Sequence, residues 1–119
     1  MDMPTKQQAI ASNRDAWNDS ARHHKDNPDW PVLLDEVSRA DFSCIDDTLR
    51  AVLDEVGVEG KEVVQLGCNN GRESLSLYAA GARRVVGVDQ SAAFLQQARE
   101  LAERSPHDAE FIEADIHHL

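Results

Sequence analysis

The chain reads as an α/β protein, a partial doubly wound parallel sheet of three strands in the order 3-2-1, preceded by helices. Three observations predict this. Short β-branched, apolar runs stand at 62–66, 84–89 and 110–114. Segments with helical spacing separate them, so strands and helices alternate, as parallel strands with right-handed crossovers require. The residues before 61 carry helical spacing too, and divide the chain into a helical cap segment, 1–60, and the first half of a sheet domain, 61–119.

The first helix is expected over 5–24. Thr5 with Gln8 three positions on is a capping-box pattern. Ile10, Asn13, Trp17, Ala21 and His24 then form a weak stripe. Asp26-Asn27-Pro28-Asp29-Trp30-Pro31 breaks the helix. A short turn is expected from Pro31, through Val32, Leu33, Leu34 and Val37, because proline suits a first helical position. Leu49, Val52, Leu53 and Val56 share one face of a helix over 45–56, ended by Gly57 or Gly60. After the strand at 62–66 comes a turn from Gly67 to Gly71. The next helix runs through Leu75, Leu77, Tyr78 and Ala79 to a stop at Gly81. After the second strand, Ser91 caps a helix with Phe94, Leu95, Ala98, Leu101 and Ala102 at helical spacing, closed by Ser105-Pro106.

Composition narrows the function. With 119 residues, 41% hydrophobic and 29% charged, the chain suits one globular domain. A formal net charge of −10 repels phosphate backbones and anionic lipid, so neither nucleic acid nor membrane is an expected partner. No run approaches the ~18 apolar residues of a span. The opening MDMPTKQQ lacks an apolar stretch, so no signal peptide is expected. Cys44 and Cys68 show no metal-ligand spacing and read as reduced thiols, which points to the cytoplasm. No metal site is expected.

Three candidate positions fall where the strands end, and in such sheets that is where ligands bind. The turn Gly67-Cys68-Asn69-Asn70-Gly71 lets backbone approach a ligand; taken alone it reads equally as a plain strand-to-helix turn. Asp89 closes the second strand, 22 positions after Gly67. A carboxylate there has two oxygens for the vicinal hydroxyls of a ribose. Asp115, with Ile116, follows the third strand, where a carboxylate and a backbone amide could read an adenine edge. A dinucleotide fingerprint would need glycines at 67, 69 and 72, but Asn69 and Arg72 occupy two of these. There is no GxxxxGK[ST] phosphate loop either. A nicotinamide oxidoreductase is therefore disfavoured.

VVQLGCNNGRES, VVGVDQS and FIEADI resemble the first three motifs of the class I S-adenosylmethionine-dependent methyltransferases, over about residues 62–116. NRDAWNDSARHH, at 13–24, is similar to the N-terminal cap helix of small bacterial members. The resemblance implies a Rossmann-like fold with S-adenosylmethionine as cofactor. It implies that Gly67, Cys68, Asn69 and Gly71 line the methionine part, that Asp89 holds the ribose with Gln90 flanking the adenine, and that Asp115 and Ile116 read the adenine edge. Gln65 stands where the family usually has an acidic residue for the cofactor's amino end, and Asn69 replaces the middle glycine.

The function expected is methyl transfer to a small-molecule acceptor, with this chain supplying the cofactor-binding half and no catalytic residue identified. The alternative is a non-catalytic module that binds S-adenosylmethionine or S-adenosylhomocysteine. His23 and His24 read as exposed residues at a helix end, where a cation is favourable. Trp17 reads as a packing residue before a cover for the cofactor, and Cys68 as a small packing residue. His117 and His118 make an improbable metal site. The order 3-2-1 leaves strand 62–66 at an apolar edge. Either a longer enzyme continues the sheet there, or copies of the chain associate through it.

Overall fold

The computed structural model describes residues 3–118. Helix α1 (Lys6–Asp26) starts at the expected capping box. The Gln8 amide donates to Thr5 Oγ1 at 3.0 Å and the Thr5 amide donates to Gln8 Oε1 at 2.9 Å. Only Ala21 of this long helix is buried. Helix α2 (Asp29–Glu36) begins before Pro31, which therefore sits third in the helix rather than first. First-turn amides have no intrahelical acceptor, so a proline costs nothing there. Helix α3 (Asp47–Val56) is capped by Asp46 and ends at Gly57, with φ of +89°. Its expected apolar face is split. Leu53 packs toward the core, whereas Leu49, Val52 and Val56 are 40%, 49% and 75% exposed.

Strands β1 (Glu62–Leu66), β2 (Arg84–Asp89) and β3 (Ala109–Glu113) form one parallel sheet in the order β1-β2-β3. This is the predicted order, with boundaries within one residue. Val63 pairs with Val85 and Leu66 with Val88; Gly87 pairs with Phe111 and Asp89 with Glu113. The register brings the ends of all three strands to one rim. Helix α4 (Arg72–Ser76) is shorter than expected. Ser76 Oγ donates back to the Arg72 carbonyl at 2.7 Å, a side-chain bond that disturbs a helix end. Tight turns then carry the chain to Gly81. Helix α5 (Ala92–Arg104) buries Phe94, Leu95, Ala98 and Leu101, the stripe read from the sequence. A short 3₁₀ turn (Ile116–His118) follows β3.

One sheet face is packed. Val85 joins Val58, Leu77 and Ala82 there; Phe111 joins Cys68, Leu95 and Ala98. The Phe111 ring fills two hollows. A methyl group on Gly71 would stand 2.7 Å from it, and one on Gly87 also 2.7 Å. The other face is open at its edges, with Val64, Leu66 and Ile112 at 59%, 54% and 41% exposure, while Val88 between the last two is buried. Among the described residues, β1 pairs with β2 alone.

Two predictions follow from the packing. Gly57 and Gly71 both have positive φ, at +89° and +78°, but only Gly71 is hemmed in, by Phe111 and Ala98. Urea unfolding should show Gly57→Ala losing about 1–2 kcal/mol from the left-handed backbone. Gly71→Ala should lose about 1–3 kcal/mol more through overpacking, and equal losses would show that the hollow is not constraining. Burial, then the Asp89 carboxylate, pushes the Cys68 thiol from 9.0 up to about 12 against a smaller lowering by a backbone hydrogen bond. Cys44 is exposed. Iodoacetamide near pH 8 should therefore label Cys44 alone in the folded chain and both thiols in urea, since only the thiolate reacts.

Candidate functional site

A cleft of about 340 Å³ opens at the rim where the three strands end. Gly67 and Asn69 enter it from the loop after β1, and Asp89 and Gln90 from the end of β2. Ala114, Asp115, Ile116 and His117 enter from the segment after β3. Helix α1 closes the remaining side with Ile10, Asn13 and Trp17.

Asp89 stands at the centre of this arrangement, on the middle strand and 6% exposed. The Asn69 amide donates to its Oδ2 at 2.9 Å and the Ser91 amide to its Oδ1 at 2.8 Å. Both are charge-assisted bonds, which is how a buried carboxylate is tolerated. They also fix the plane of the group. A carboxylate has about four lone-pair sites, so each oxygen keeps acceptor capacity for a ligand hydroxyl. Asn69 can deliver its amide because it takes a left-handed conformation, φ +50°, at the position where the family pattern has glycine. Asparagine bears that backbone better than most residues.

The far end of the cleft is built differently. Asp115 Oδ1 accepts the His117 amide at 3.0 Å, which starts the 3₁₀ turn and turns Ile116 outward at 48% exposure. Trp17 is 42% exposed in the cleft wall while its ring packs 6.2 Å from that of Phe94. A flat apolar group entering here would find Ile10, Trp17 and Ile116 around it, with polar atoms of Asp115 at its edge.

Six of the nine predicted positions line the cleft: Gly67, Asn69, Asp89, Gln90, Asp115 and Ile116. Three lie apart from its lining. Gln65 Oε1 accepts the Ser74 hydroxyl at 2.5 Å, so the side chain points into the α4 layer. Cys68 packs beneath the turn against Leu95, Ala98 and Phe111, as a packing residue would. Gly71 caps α4 against the Phe111 ring. Trp17 is not the core residue the stripe suggested, because its ring borders both Phe94 and the cleft. Ile10 and Asn13 were visible as members of the same stripe without any sign of a ligand role. Ala114 and His117 could have been found only by adjacency to Asp115. His24 packs 5.5 Å from Phe94, while His23 lies near Asp19 at 3.9 Å on the surface.

A second cavity of about 420 Å³ lies between the end of α1, α2 and the start of α4, bordered by His24, Trp30, Asn70 and Arg72. Asn69 borders the first cavity and its neighbour Asn70 the second. Among the described residues, no helix is long and apolar enough to cross a membrane.

Residues 63–119 match the family described as Methyltransferase domain. The chain is 38% identical over 74 residues to the ribosomal protein L11 methyltransferase of Alteromonas mediterranea, a match covering 54% of this chain and 25% of that protein. It thus spans about a quarter of that curated relative. Among solved structures it is similar to magnesium protoporphyrin IX methyltransferase from Synechocystis PCC 6803 with bound SAH. The TM-score is 0.54 and identity 28%, over 61% of this chain and 35% of that one. The DhpI–SAH complex matches in fold over 97% of this chain and 49% of that chain, with TM-score 0.63 and identity 22%. Strand order, cleft position and these likenesses agree: the chain carries the class I S-adenosylmethionine-dependent methyltransferase fold.

Proposed function

We propose that this chain supplies the donor-binding half of an S-adenosylmethionine-dependent methyltransferase acting on a small-molecule acceptor. The observation that carries the reading is the Asp89 carboxylate, held by two backbone amides at the centre of the strand-end cleft. That donor set fits a nucleoside with a free vicinal diol. Asp89 would accept both ribose hydroxyls, and Asp115 would accept from the exocyclic amine of the base. Ile116 and Trp17 would offer the base apolar surface and Gln90 would flank it. The loop backbone at Gly67 and Asn69 would hold the amino-acid portion. Gln65, engaged by Ser74 and outside the cleft lining, contributes by holding the loop rather than by direct contact.

S-adenosylmethionine, when bound, supplies a methyl group already activated by its sulfonium. The protein's task is then alignment, and orientation alone can be worth several kcal/mol, up to ~7–11 in favourable cases. No acid–base pair is needed for that. The cavity bordered by His24, Trp30, Asn70 and Arg72, one residue along the same turn, is the room we assign to the acceptor. The open edge of β1 is where a further strand would pair, from a longer polypeptide or a second copy.

Calorimetry with S-adenosylhomocysteine and with NAD tests the donor assignment. Binding of the first and not the second is expected; the reverse would sink the reading. Transfer of a labelled methyl group by the protein that contains this chain then separates an enzyme from a binding module. Asp89→Asn should weaken S-adenosylhomocysteine binding by about tenfold or more, since one oxygen and the charge are both lost. Unchanged affinity in a folded variant would remove Asp89 from the site.

A further inference from the structure

Helix α1 reaches the cleft as a lever rather than as a packed layer. Its C-terminal third is pinned to α5. Gln97 Nε2 donates to the Ala21 carbonyl at 2.5 Å, Ala21 is fully buried, and Lys25 pairs with Glu100 at 3.3 Å. Nearer its N-terminus, Ile10, Asn13 and Trp17 line the cleft. Asn18 stands between the pinned and the overhanging parts.

The Asn18 side chain joins a directed hydrogen-bond chain. The Phe94 amide donates to Ser91 Oγ at 3.2 Å, the ordinary bond of a helix cap. With that amide taking an acceptor site, the hydroxyl proton is directed to Asn18 Oδ1, 2.6 Å away. The Ala93 amide reaches the same Oδ1 at 3.3 Å. The Ser91 amide donates to Asp89 Oδ1. Thus a residue of α1 supplements the cap of α5, and the capping residue orients the carboxylate. Ser91 is fully buried, so water does not readily replace the missing partner if Asn18 is removed.

We infer that Asn18 is a positioning residue for the donor site: it couples the seating of α1 to the orientation of Asp89, so that a nucleoside held by Asp89 steadies the N-terminal half of α1, whose Ile10, Asn13 and Trp17 wall the cleft. The inference rests on the donor reading above. Asn18 itself lies outside the cleft lining. Its side chain carries the coupling because it belongs to α1 and bonds the cap of α5, so that each contact favours the other.

Calorimetry with S-adenosylhomocysteine on the full chain, paired with amide hydrogen exchange over residues 6–14, tests this. In the unaltered chain the ligand should slow exchange in 6–14. Asn18→Ala should lose about tenfold in affinity and lose that slowing. Asn18→Asp, which keeps both acceptor bonds, should stay within about threefold of the original affinity and retain the slowing. A residue that merely stabilised the fold would not tie the exchange of 6–14 to ligand. If the unaltered chain binds the ligand without slowing 6–14, or a folded Asn18→Ala binds equally well, the coupling is overturned while the donor reading stands. If the unaltered chain does not bind, the donor reading fails first. Should Asn18→Ala not fold, Asn18→Ser, too short to reach Ser91 Oγ, takes its place: loss of the slowing there with its retention in Asn18→Asp supports the coupling, and slowing in both variants overturns it.

Discussion

A single carboxylate ties together the two loops that floor the cleft. Asp89 takes one amide from the loop after β1 and one from the cap of α5. Hydrogen bonds to a charged group are worth about 1.5–3 kcal/mol each, and more is lost if a buried charge is left unpaired. Neither loop can move without disturbing the other. That constraint requires Asn69 to adopt positive φ, and it leaves Asp89 pre-oriented before any ligand arrives. The same side chain deepens the inertness of Cys68, whose thiol sits under its field in an already apolar site.

Much of this arrangement was legible in the residues, for a physical reason. Short β-branched runs separated by helical spacing leave few ways to alternate, and the Rossmann-like doubly wound pattern then points to the strand order 3-2-1. Asp89, Asp115 and the loop from Gly67 could be placed at one rim because parallel strands end together. The misses have causes of their own. The inward turn of Gln65 was available from strand alternation, since it shares a face with the partly buried Val63. Cys68 could not be oriented from its identity, because the backbone angles of the loop decide where its sulfur points. The early start of α2 came from first-turn amides that need no partner, which spreads the permitted positions for Pro31.

The cap was the least legible part. Its pairing with α5 rests on contacts between residues 73 apart, Asn18 and Ser91, and local pattern carries no information about such a partner. The weak stripe of α1 did foretell a helix that leans on something else. It could not tell that the same stripe would be split between a packed end and a cleft wall. For α3 the pattern overstated burial, because an apolar face records what a helix is able to cover. The described residues offer cover for Leu53 and leave Val52 and Val56 largely in water.

The Phe111 ring sits against both Gly71 and Gly87, so a residue of the third strand completes the packing beneath the first loop and the second strand. A polypeptide emerges from the ribosome N-terminus first. Until position 111 has cleared the exit tunnel, the turn at 67–71 lacks the ring it closes around, and the cap of α5 has no settled floor. The floor of the cleft is therefore completed when the third strand docks, and not strand by strand.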